Sequence, residues 1–577
     1  MRIERSKDDY NIVKVNIDEK WIYIGSKYNM DNEIGKFLQK INDAKKIIIF
    51  GAGTGDHIRA LREKKRDIEI IVFEPNNDIA EYVQSLEFVK KDLKIEVYKC
   101  NREEVNKNLN EEFLNEFNVQ DIRIVSFSNY EKLYPKQFID LMDILKEKIY
   151  DCIVSRNTKI QFSERWFTTT INNIADMTKA TLIDEYTGMY KNKPAIIVSA
   201  GPSLDKNIDQ LKGIEDNFLV ITGGRPIKGL IEKKIRPGLL VALDPQDINY
   251  RLVKGCIEDT DIPLLFFECT NEKIVQNHKG MKIFSLGSEE MYHFIDRDCV
   301  ILPTFGSVAH SMTSAAVALG CNPVIFIGQD FAYTGDATHS DFLDKRLVNE
   351  SDKFEDVKSD IDPYVESVDG GKVRTSVILN IYRLGMEQII ADNPNVKFIN
   401  ATEGGARMAG TEEMTLKEAI EKYGDKEIEP LPNKKADPII SKRIIDKLDN
   451  MYNELIEIEK ECKKALKYTN EMEKSLKLKR RDKVVETIKK LDKVDAYIKN
   501  KITSFLIIQS LLYPIMYKIL TNRKIDNEES EEVKIQHIIE QNRELYESLI
   551  NAIEGTSSDF KDVIKKIKPI KEEIISV

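Results

Sequence analysis

Ala195-Ile196-Ile197-Val198-Ser199-Ala200-Gly201-Pro202-Ser203-Leu204 is the stretch whose reading decides the fold of this chain. The aliphatic run predicts a strand buried on both faces, and the small residues after it predict a tight turn into a helix. Gly201 lets the backbone approach a ligand closely, while Ser203 is placed to cap the helix start. A helix N-terminus presents unpaired N–H groups, which suit a phosphate. Taken alone, the pattern fits a plain capped strand-to-helix turn equally well.

Repetition gives it weight. Further strands are predicted at 218–222, 239–243, 264–268, 282–286, 324–328 and 397–400, with helical patterns or loops between most of them. Several end in turns of the same kind: Thr222-Gly223-Gly224-Arg225-Pro226, Asp244 and Asp247 in LDPQD, Gly328-Gln329-Asp330, and Asn400-Ala401-Thr402-Glu403-Gly404-Gly405. Thr304-Phe305-Gly306-Ser307-Val308 opens a small-residue helix. In a doubly wound sheet such turns converge on the crevice at the carboxyl ends of the strands. The fold class expected is α/β, with a central doubly wound Rossmann-like domain over 166–429.

Outward from the centre, KIIIF at 46–50, IEIIVF at 68–73 and the run 122–127 predict parallel strands of a smaller N-terminal α/β domain, 1–165. Phe50-Gly51-Ala52-Gly53-Thr54-Gly55 follows the first of these, and Glu74 closes the second. The pairing looks like the turn with which S-adenosylmethionine-dependent methyltransferases hold their cofactor, the acid reaching ribose hydroxyls. A Rossmann-like accessory domain that merely keeps the turn fits it too. The segment 165–190 reads as a connecting helix. Between Asp341 and Ser376 the pattern turns acidic and irregular, around a hairpin signal at 368–373 that suits a lid or a surface hairpin.

After the linker PLPNKKADP (430–438), Ile444, Leu448, Met451, Leu455, Ile458, Cys462 and Ala465 recur at heptad spacing. An all-α C-terminal domain over 430–577 is expected, interrupted near Pro514 and Gly555, with packing or self-association as its role.

Composition narrows the function. With 87 Lys and Arg against 97 Asp and Glu, the net charge of −10 excludes a broad nucleic-acid footprint. The seven cysteines are scattered without a CxxC pair, which fits reduced thiols in a cytoplasmic protein rather than a metal or disulfide framework. The opening MRIERSKDDY lacks the apolar run expected of a signal peptide, and the most apolar stretch, 505–516, is shorter than the roughly 20 residues a membrane span needs.

The block 195–410 resembles the motility-associated factor (Maf) glycosyltransferases, which modify bacterial flagellins with nonulosonic acids. The motifs are SAGPSLD (199–205), ITGGRPI (221–227), GSVAHSMTSAAVALG (306–320), IGQDFAYTGDATHS (327–340) and NATEGGARMAG (400–410). The GPSL turn and the helix leading to a Gly-x-Asp strand end are also similar to those of bacterial CMP-sialic-acid-dependent sialyltransferases. The family often has Leu where Phe331 stands here.

Carried over by position, the resemblance implies a pocket of Gly201, Pro202, Ser203, Gly223, Gly306 and Ser307, with Gln329 and Asp330 beside the sugar or ribose. Asp244, Thr402 and Glu403 join the candidate binding set from their turns. The implied donor is a CMP-sugar of sialic-, pseudaminic- or legionaminic-acid type, and the implied acceptor is Ser or Thr of flagellin before export. No cofactor is required; Asp244 and Asp247 suit a cation or a turn cap, so a metal is possible but not implied. The acceptor hydroxyl needs a base titrating near neutrality. His339, just past the GQD strand end, is the candidate, with Asp330 as its catalytic companion; His310 reads as a packed or capping residue. Three other readings stay open: a pyrophosphotransferase related to 6-hydroxymethylpterin diphosphokinase, an N-terminal methyltransferase, and a non-catalytic flagellin-binding protein.

Overall fold

The aliphatic runs pair as buried parallel strands in two separate sheets. A computed structural model describes residues 1–41, 44–287, 295, 299–333, 340, 362–504, 506–521 and 530–576. Compactness divides the chain into two units: Met1–Gln161 with Pro514–Ile525, and Phe162–Tyr513 with Asp526–Val577. The predicted 1–165 block thus lies largely in the first, whereas the 166–429 sheet and most of the C-terminal helices share the second.

In the first unit, β1 (Arg2–Arg5), β2 (Asn11–Ile17) and β3 (Lys20–Ile24) form an antiparallel meander. β4 (Lys46–Phe50), β5 (Glu69–Glu74), β6 (Ile95–Lys99) and β7 (Ile122–Ser126) form a parallel sheet in the order β6-β5-β4-β7. Ile48 stands between Ile71 and Ile124, and Ile47 to Phe50 are fully buried. The order reverses between β4 and β7, so the glycine turn after β4 sits at a topological switch point.

The second unit contains β8 (Thr181–Leu182), β9 (Ala195–Val198), β10 (Leu219–Thr222), β11 (Leu239–Ala242), β12 (Leu264–Phe267), β13 (Lys282–Ser285), β14 (Val324–Ile327), the hairpin β15 (Tyr364–Glu366) and β16 (Lys372–Arg374), β17 (Phe398–Asn400) and β18 (Glu412–Glu413). All but the hairpin join one parallel sheet, ordered β18-β17-β14-β9-β10-β11-β12-β13-β8. Ile197 pairs with Ile221 on one side and Phe326 on the other. The switch point therefore lies between β9 and β14, at the turn 199–204.

Alternation along β9 assigns its residues to two cores. Ile197 packs with Val241, Leu265, Met312 and Phe326, and Ile196 and Val198 pack with Leu204, Val220, Ile325 and Ile399 on the opposite face. Each such side chain contributes roughly 1.5–3 kcal/mol by leaving water. Both faces are covered, as an all-parallel sheet requires.

The heptad residues Ile444 to Ala465 are all buried on the helix Pro438–Lys477. That helix packs against Arg481–Ser504 and Glu531–Ser576, so its apolar seam is filled within the chain. Tyr546 donates to Asp495 Oδ1 at 2.6 Å between the second and third of these helices.

Three expectations need correction. The helix predicted at 165–190 is the end of a longer one, Pro135–Met177, after which Thr181 and Leu182 form the sheet's edge. The break expected at Pro514 does not occur: Leu506–Thr521 runs through it. Nor does one occur at Gly555, because Glu531–Ser576 is continuous and Thr556 returns its hydroxyl to the Ile553 carbonyl.

Candidate active site

The switch point carries a crevice of about 230 Å³ lined by turns from β9, β10, β11 and β14 and by the first residues of the helix Val308–Ala318. Gly201, Gly223, Asp244, Gly306, Ser307, Gln329 and Asp330 all line it. Residues more than a hundred positions apart thus meet at one sheet edge.

The turn after β9 is held by the turn after β14. The Gly201 amide donates to the Gly328 carbonyl at 2.7 Å, and a Cβ on Gly201 would stand 2.3 Å from Asp330 Oδ1. Ser203 is wholly buried; its amide donates to Asp330 Oδ2 at 3.1 Å and its hydroxyl to Oδ1 at 2.5 Å. Gly328 has φ +62°, and a Cβ there would meet the Ser199 carbonyl at 2.5 Å, so only glycine allows the two turns to close. Phe331 also lies in the left-handed region at φ +49°, a strained conformation for a residue of its size.

This geometry changes two expected roles. Ser203 does not cap a helix: the following element, Leu204–Asn207, is a single turn and the Ser203 side chain makes no cap bond. Asp330, expected at the sugar, lines the crevice but turns its carboxylate onto Ser203, and only 3% of the residue is exposed. It acts as a clamp on the GPSL turn. Gln329 is fixed similarly, accepting from the Ser199 hydroxyl at 2.5 Å while its amide donates to Thr402 Oγ1 at 3.3 Å.

Pro202, Ser203, Thr402 and Glu403 are not among the lining residues. Thr402 stands behind Gln329. Glu403 faces away, accepting from Asn207 Nδ2 at 3.4 Å and, through its carbonyl, from Lys206 Nζ at 2.5 Å. His339 lies outside the described residues. Its neighbour Ser340 donates its amide to the Ala200 carbonyl at 3.1 Å and its hydroxyl to Asp205.

The start of Val308–Ala318 also opens onto the crevice. Ser307 caps it, accepting from the Ala309 amide at 3.4 Å, and the helix dipole adds partial positive charge there. Arg225 lines the same crevice. His310 is fully buried, with Nδ1 2.9 Å from the Thr304 carbonyl and Nε2 2.8 Å from that of Tyr382. Burial holds its pKa below the ordinary value, and it ties the loop before its helix to the helix Val377–Asp392.

Asp247 points elsewhere. Lys273 at 2.9 Å and Asn271 at 3.0 Å hold its carboxylate and depress its pKa. Among the described residues no group of three or more His, Cys, Asp or Glu could hold a metal ion. No helix among them is long and apolar enough to cross a membrane.

Sequence reasoning missed Asn249, Leu379 and Tyr382 on the crevice wall. Asn249 follows the LDPQD turn closely and was within reach of that reading. Leu379 and Tyr382 arrive from a helix after the hairpin, with no local signal to announce them.

Crevice and topology together define a class: doubly wound α/β domains whose binding cleft opens at a switch point. The model of the family described as 6-hydroxymethylpterin diphosphokinase MptE-like matches residues 168–336, a minority of the chain. Over nearly its whole length the chain shares the fold of a Maf glycosyltransferase, that of Magnetospirillum magneticum AMB-1. The two chains are 13% identical, with a TM-score of 0.59 over 97% of this chain and 92% of the other. No curated protein matches the sequence significantly.

Proposed function

We propose that this chain is a glycosyltransferase that moves a nonulosonic acid from a CMP-sugar to Ser or Thr hydroxyls of flagellin in the cytoplasm before export. The observation that carries the proposal is the convergence of Gly201, Gly306, Ser307 and Gln329 on one switch-point crevice, in a fold shared with a Maf glycosyltransferase. The capped start of Val308–Ala318 would receive the departing phosphate through its amides, with Arg225 as added positive charge. In this scheme the departing phosphate requires no metal, and transfer inverts the anomeric centre. His339 is the proposed base. Support comes from Ser340, whose amide is bonded to a residue of the crevice wall, Ala200.

The test is release of CMP from a CMP-activated nonulosonate, followed by mass spectrometry of flagellin. Gly201→Ala sets a methyl against Asp330 and the Gly328 carbonyl, and should abolish both CMP release and transfer. If neither purified protein nor lysate releases CMP from any such donor, the proposal fails.

The MptE-like match over 168–336 favours one other reading, transfer of pyrophosphate from ATP to a pterin alcohol. Conversion of ATP to AMP dependent on a hydroxymethylpterin would select it.

A further inference from the structure

The glycine turn of the first unit has the layout of a nucleoside site. It follows β4 at a switch point, and Glu74 ends the neighbouring strand where an acid would meet ribose hydroxyls. Yet every residue from Gly51 to Gly55 is buried. Tyr130, on the segment after β7, is wholly buried against it. A Cβ on Gly51 would stand 2.3 Å from the Tyr130 ring, so the glycine makes room for that ring. The Tyr130 hydroxyl donates to Glu74 Oε2 at 2.7 Å and accepts from the Gly53 amide at 2.8 Å. The Ala52 amide donates to Glu74 Oε2 at 2.7 Å and the Asn76 amide to Oε1 at 2.8 Å.

Two further layers close the turn. His57 stacks on Phe127 at 3.7 Å beneath Gly53, and Thr54 Oγ1 donates to the Asn11 carbonyl of β2 at 2.9 Å. The side chain of Asn129 donates to the Tyr23 carbonyl of β3 at 3.0 Å. The meander therefore bonds to both loops that would have to part for a ligand.

We infer that Tyr130 is a built-in substitute for a nucleoside: its hydroxyl makes the two bonds a ribose hydroxyl would make, to the acid and to the turn. The first unit then takes neither S-adenosylmethionine nor a dinucleotide, and its glycine motif is a structural joint. The residues do not fit the cofactor their pattern suggests, because the space and the hydrogen-bonding groups are already occupied by the chain.

The full-length protein titrated with S-adenosylmethionine and with NAD should give no saturable heat up to millimolar ligand and no shift in Tm. Saturable binding that is lost in Glu74→Gln would overturn the inference. Tyr130→Gly should lower Tm, and millimolar p-cresol, the side chain removed, should restore several degrees to the variant and none to the wild type. A variant as stable as wild type and indifferent to p-cresol would count against the proposal. Should Tyr130→Gly not fold, Tyr130→Phe keeps the ring: a lowered Tm without ligand binding supports the substitution, and stabilisation by S-adenosylmethionine overturns it.

Discussion

Ser203 and Asp330 stand 127 positions apart, yet the serine offers both its amide and its hydroxyl to the two oxygens of that carboxylate, at 3.1 and 2.5 Å. A two-point grip of this kind fixes direction as well as distance, so the turns after β9 and β14 move as one body. The Ala406 amide closes on the Asp330 carbonyl at 2.7 Å and brings the turn after β17 into the same grip. The crevice is shaped by these bonds before any ligand enters.

Ser203→Ala removes one donor from a buried carboxylate, and should cost about 1–3 kcal/mol in chemical denaturation. CMP release should fall further than stability alone explains, because the turn loses its direction. A variant with wild-type stability and turnover would show that the grip is incidental.

The proposed function makes His339 the base for transfer to flagellin but gives it no part in holding the nucleotide. His339→Ala is expected to bind CMP with wild-type affinity by calorimetry while transfer falls by about 10²–10⁴-fold, the usual contribution of a general base. Unchanged transfer removes this histidine from the reaction.

Turnover should survive chelation. In the proposed function the amides at the start of Val308–Ala318 and Arg225, rather than a cation, meet the departing phosphate, and Asp247 is held by Lys273 and Asn271. Millimolar EDTA is therefore expected to leave CMP release within about twofold, whereas loss of activity restored by Mg²⁺ or Mn²⁺ would demand a cation in the mechanism.

Acid and base pull oppositely on the first unit. Burial raises the Glu74 pKa from 4.5 to about 7, outweighing its bonds from Ala52, Tyr130 and Asn76. Between those values the folded chain keeps a proton that the unfolded chain has lost, so this contribution is complete below pH 4.5 and falls as pH rises to 7. Burial lowers His57 from 6.5 to about 3, so its contribution is complete above 6.5 and falls as pH drops. Wild type compared with Glu74→Gln isolates the first effect: the difference in unfolding free energy should shrink or reverse by on the order of 2 kcal/mol from pH 5 to 7. A difference flat across that range would contradict it.

The central strands were legible because a parallel sheet buried on both faces leaves unbroken aliphatic runs, as at Ile196 and Val198. The turn residues Gly201, Gly306 and Gln329 were legible for a related reason, since close backbone approach admits few residue types. Roles were harder to read. Nothing local tells whether Asp330 faces a ligand or a serine more than a hundred residues away. The meander β1 to β3 escaped notice because its strands are short and largely exposed on one face. Tyr130 gives no local sign of its role, because its meaning comes from Gly51, in the turn after β4, and from Glu74, at the end of β5.

One outcome of the strand order concerns synthesis. β9 is made early, but its neighbour β14 follows more than a hundred residues later, so a chain still on the ribosome carries an open edge of Ala-Ile-Ile-Val with its backbone groups unanswered. Unpaired apolar edges recruit other strands. The growing polypeptide passes through a sticky interval that ends only when β14 emerges, and slowing translation between these two strands should raise the fraction that aggregates.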